Sequence, residues 1–78
     1  MNLSEAIRFK REIQTICGVN IKMLDTKEDG FVLVIERKAL DVGSYKLLAD
    51  FVAKKELKLQ LDIGNFMISS HSLLPQPQ

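Results

Sequence analysis

The chain has 78 residues, 46% hydrophobic and 27% charged, with 11 Lys and Arg against 10 Asp and Glu for a net charge of +1. A chain this short buries only about 60–65% of its unfolded surface, enough for one core and too little for an enclosed active-site domain. The balanced charge excludes the positive field of a generally basic nucleic-acid or lipid binder. The single cysteine, Cys17, excludes an internal disulfide. With no signal-like start and no apolar run near the ~18 residues of a membrane span, the expectation is a cytoplasmic protein with no membrane partner.

Asn2 followed three residues on by Glu5 predicts a capping box. Ala6, Phe9, Ile13, Ile16 and Cys17 then recur at helical spacing, with Arg8, Arg11, Glu12 and Thr15 opposite. Gly18 stands where a left-handed cap belongs, so the helix is expected over 3–17. From Val19 to Leu24 the chain alternates, with Val19, Ile21 and Met23 on one face. Asp25 to Gly30 reads as a polar turn, and Phe31 to Ile35 as a strand apolar on both faces. A loop with an odd number of residues sets Met23 opposite Phe31 and Ile21 opposite Leu33, uniting the larger apolar sets. A four-residue loop sets Val32 and Val34 beside Ile21 and Met23 instead, and the odd loop is preferred.

Glu36 to Leu40 is a connector, and either Asp41 or Ser44 caps a second helix. Its inner stripe is Tyr45, Leu48, Ala49 and Val52, with Phe51 at the margin. Lys46, Asp50 and Lys54 face water. Strict alternation from Leu57 to Ile63 predicts a further strand, broken at Gly64-Asn65, a dipeptide suited to a primed two-residue turn. Such a turn pairs Ile63 with Phe66, Leu61 with Ile68 and Leu59 with Ser70. Leu57, Leu59, Leu61, Ile63, Phe66 and Ile68 then form one apolar surface that the helices must cover. Residues 72–78, with two prolines and no period, are expected to be a flexible tail on a single domain of residues 1–71.

The order αββαββ points to the α+β class: a two-layer sandwich of a mostly antiparallel four-stranded sheet with both helices on one face. Strand order is left open. Asn20–Asp25 and Leu57–Asp62 share an alternation and a closing Asp, a similarity that two amphipathic strands also reach by convergence.

Little in the chain carries chemistry. Asp25, Asp29, Gly30, Val32 and Glu36 resemble an EF-hand calcium loop across twelve residues, but Lys27 stands where an oxygen ligand is required. The flanks read as strands rather than helices, so the segment is a hairpin turn. Cys17 falls on an apolar helix stripe, where thiols are commonly inert, and nothing brings His71 to it. There is no phosphate-binding glycine loop, paired-cysteine motif or His-rich spacing. No catalytic residue, metal or cofactor is assigned, and an enzymatic role is not expected. The helix lysines and arginines are interleaved with acids, the pattern of a solvated face.

The sheet face away from the helices is the anomaly. It carries Leu24, Val32, Val34 and Met67 beside Lys22, Lys58, Gln60 and His71. Two helices with one apolar stripe each cannot cover both faces, and a contiguous apolar group of this kind marks an interface. The expected function is therefore a small non-enzymatic interaction domain, with that face binding a protein partner or a second copy of itself. The alternative is a nucleic-acid-binding module using the same face or the helix lysines, although an aromatic stacking platform is lacking. A third reading is a subunit that contributes to an enzyme completed elsewhere.

Overall fold

The computed structural model describes residues 1–27 and 30–70. The elements follow as α1 (Leu3–Cys17), β1 (Lys22–Asp25), β2 (Phe31–Glu36), a short 3-10 turn (Arg37–Ala39), α2 (Val42–Lys54), β3 (Lys58–Asp62) and β4 (Asn65–Ser69). The strands form one antiparallel sheet in the order β1-β2-β4-β3, with both helices on one face. The two hairpins therefore meet through β2 and β4, leaving β1 and β3 as edges. That is the arrangement an approximate two-fold between the αββ halves produces. The expected α+β two-layer sandwich is the observed one.

Local chemistry sets each boundary. Asn2 accepts from the Glu5 amide at 2.8 Å and Glu5 accepts from the Asn2 amide at 3.2 Å, completing the capping box. Gly18, at φ 67, closes α1 with a bond to the Gln14 carbonyl. Asp41, not Ser44, caps α2, accepting from the Ser44 amide at 2.7 Å. At the far end, the Glu56 and Leu57 amides donate back to the carbonyls of Ala53 and Val52, a Schellman closure with Glu56 at φ 57.

The core between the layers holds Ala6, Phe9 and Ile13 from α1, Leu48, Phe51 and Val52 from α2, and Leu33, Ile35 and Ile68 from the sheet. Three helix assignments change. Phe51 is inside, edge-on to Phe9 with ring centroids 6.0 Å apart, while Tyr45 lies at the exposed edge. Ile16, in the last turn of α1, is also exposed, while Cys17 beside it packs against the core.

Both hairpin registers differ from expectation by two residues. Asp25 pairs with Phe31 and Met23 with Leu33, so the loop spans 26–30 and is odd but shorter than expected. In the second hairpin Asp62 pairs with Asn65, Leu61 with Phe66 and Leu59 with Ile68. The turn is thus Ile63-Gly64, not Gly64-Asn65. Gly64 lies at φ 74 while Ile63 stays out of the left-handed region, the pattern of a type II rather than a primed turn. Two residues is one full strand repeat, so every side chain keeps its expected face.

Met1 is buried beside the start of β2. Its carbonyl accepts from the Phe31 amide at 2.7 Å, and its ammonium donates to the Phe31 carbonyl at 3.2 Å and to Ser70 Oγ at 3.4 Å. The expected tail, 72–78, lies outside the described residues.

Candidate functional site

The sheet face away from the helices is built in cross-strand rows. One row runs Lys22, Val34, Met67, Gln60, and the next begins with Leu24 opposite Val32 and ends with Ser69 opposite Lys58. The expected interface residues are thus brought together on one surface, but they present little apolar area. Val32 is 0% exposed and Ser69, beside it on β4, is buried as well. Val34, Gln60 and Met67 are half-buried, whereas Lys22, Leu24 and Lys58 are exposed. His71 lies outside the described residues. At one end of this face a polar concavity of about 450 Å³ is lined by Asn20, Lys22, Val34, Glu36, Ala39 and Asn65.

The other candidates from the sequence resolve by geometry. Asp25 ends β1 and Glu36 ends β2, with a strand where the outgoing helix of a calcium loop would stand. Among the described residues no group of three or more His, Cys, Asp or Glu is arranged to hold a metal ion. The Cys17 thiol is half-buried and donates to the Ser44 carbonyl at 3.5 Å. Burial, and then the nearby Asp41 carboxylate, push its pKa above the ordinary thiol value, which keeps it protonated and poorly nucleophilic at neutral pH. Among the described residues no helix is long and apolar enough to cross a membrane.

The two most exposed large apolar residues, Ile63 and Val42, sit instead toward the helix side, where the helical layer stops short of the β3–β4 turn. Tyr45, in the first turns of α2, packs its ring 5.4 Å from that of Phe66 on β4. Phe66 pairs with Leu61 on β3, and Leu61 leads to the turn at Ile63. Val42 joins Tyr45 and Phe66 in lining a shallow pocket with Leu40. Exposure decides the matter: Ile63 is 95% exposed, Val42 74%, Leu61 57% and Tyr45 41%. Leu61 and Ile63, expected under the helices, lie outside their cover. The signal that finds this rim is the placement of Asp41 as the cap, since it fixes where α2 starts relative to the sheet.

No protein-family model, curated protein or solved structure matches the chain.

Proposed function

We propose that this protein is a small non-enzymatic interaction domain that docks onto protein through its apolar rim. The observation that carries this reading is the exposed apolar group about the half-buried Phe66: Tyr45 against its ring, Val42 beside it in the same pocket, Leu61 opposite it on β3, and Ile63 two residues on in the turn. Single exposed apolar residues are ordinary, but a branched aliphatic at 95% exposure beside three others is a surface that association with protein covers. Tyr45 and Phe66 give that surface aromatic contact area of the kind enriched at interface centres. A protein partner fits better than nucleic acid. Phe9 and Phe51 are committed to the core, and among the described residues the sheet face away from the helices displays no ring on which a base could stack.

The test is site-directed photo-crosslinking in cells. With benzoylphenylalanine in place of Ile63, adducts of discrete mass are expected; with the same residue in place of the exposed Lys46 on α2, they are not. Equal and diffuse labelling at both positions would overturn the reading.

A further inference from the structure

We infer that the partner at this rim is a second copy of the chain, joined edge to edge through β3 into a continuous two-fold sheet; the inference rests on the protein-docking reading above and names its occupant. The argument begins with the edge. β3 ends the sheet, so one side of it has no partner strand among the described residues. Its five residues run without proline or bulge, two of the devices by which edges are commonly protected.

The backbone of β3 is set for this pairing. Asp62 and Asn65 close a two-residue turn, so they form a hydrogen-bonded pair, and the alternation makes Gln60 and Lys58 the next residues bonded to β4. The amides and carbonyls of Leu59 and Leu61 therefore point outward, away from β4, at the edge that no described strand covers. An incoming antiparallel strand must offer matching groups at the same spacing.

The side chains of β3 match themselves. The strand reads Lys58-Leu59-Gln60-Leu61-Asp62, which is chemically palindromic about Gln60. Laid antiparallel on a second β3 in that register, Leu59 faces Leu61 of the second copy and exchanges backbone bonds with it. Lys58 faces Asp62 of the second copy, once on each side of the axis. Both charges lie on the face away from the helices and both leucines on the helix side, as a two-fold perpendicular to the sheet requires. Registers centred on Leu59 or Leu61 lose the Lys–Asp matches, and a parallel pairing sets Lys58 against Lys58. The charge pattern thus selects one register out of several.

The rim explains what the association covers. In this register Leu57 lies opposite Ile63 of the second copy, and both helical layers fall on the same side. Leu61, Ile63 and Tyr45 of the two chains then line the gap between them. β1, the other edge, lacks the property: Lys22 and Asp25 alternate to opposite faces, so they cannot meet in a two-fold antiparallel pair.

The experiment uses the full chain and two charge reversals, Lys58→Glu and Asp62→Lys, read by sedimentation velocity across a concentration series. Wild type is expected to rise toward twice the chain mass. Each single variant sets like charges opposite one another twice and should weaken association by roughly tenfold or more. An equimolar mixture of the two variants restores both matches, and so should the double variant. Restoration also shows that the single variants are folded. A wild type that stays monomeric, or variants that fail to complement, overturns the second-copy assignment. If crosslinks from position 63 then join a different protein, the docking reading stands without it; if they join none, both fall.

Discussion

Gly30 and Gly64 lie at nearly the same backbone angle, φ 75 and φ 74, in very different surroundings. A Cβ added at Gly64 meets nothing within 4 Å, whereas at Gly30 it would collide with the Met1 carbonyl oxygen. Gly64→Ala therefore isolates the cost of an L-residue in the left-handed region, about 1–2 kcal/mol. Gly30→Ala adds displacement of Met1 and with it the bonds between Met1 and Phe31. One of these is a neutral amide–carbonyl bond, worth about 0.5–1.5 kcal/mol net, and the other has a charged donor, worth about 1.5–3 kcal/mol. The expected total at Gly30 is about 3–6.5 kcal/mol, a large fraction of the roughly 4–12 kcal/mol that a domain of this size possesses. Urea denaturation of both variants, followed by far-UV circular dichroism, gives the comparison directly. Equal costs, within about 0.5 kcal/mol, would refute the claim that Met1 is a fixed part of the fold.

Glu56 holds α2's C-terminal closure at φ 57 without being glycine, so Glu56→Gly should stabilise the domain by about 0.5–1 kcal/mol, visible as a higher urea midpoint. Phe51→Ala should cost about 3–5 kcal/mol and Tyr45→Ala about 1 kcal/mol, since only Phe51 is in the core; a reversed order in thermal melts would restore the stripe read from the sequence. The Ser44 amide, and then the Ser44 hydroxyl, hold the Asp41 carboxyl below the ordinary aspartate value. Its contribution to stability is present above that ordinary value and fades as pH falls through the lowered one. Asp41→Asn keeps an acceptor that does not titrate, so melting temperatures measured below about pH 4 should fall less steeply in the variant than in wild type.

Much of the fold was legible because burial and caps leave strong local marks. The Asn2–Glu5 box and Gly18 bound α1 where the sequence places it, and the alternation of β1 to β4 assigns faces correctly throughout. Alternation has a period of two residues, so it determines which face a side chain takes and says nothing about a slip of two. Register belongs to the turns. In the second hairpin, reading Gly64-Asn65 as the turn places glycine first, as a primed turn would use it. With Asn65 drawn into β4 opposite Asp62, Gly64 becomes the second central residue and Ile63 avoids a positive φ that a β-branched side chain resists.

The same limit explains why the sequence alone shows neither the rim nor the edge position of β3. An apolar residue in an alternating strand announces that it faces the apolar side of a sheet; whether a helix reaches it depends on where that helix starts and how it lies. α2 begins at Val42, Tyr45 reaches only as far as Phe66, and Leu61 and Ile63 extend past the covered area. The Lys-Leu-Gln-Leu-Asp palindrome was present in the sequence all along, but a self-complementary strand has no consequence in the middle of a sheet, where both its sides are taken. Only the order β1-β2-β4-β3 gives it meaning, by leaving β3 at an edge with its outward amides and carbonyls on Leu59 and Leu61. Long-range pairing of β2 with β4 decides that order, and no local pattern encodes it. The surface proposed for association is thus a joint product of a local pattern and a non-local topology.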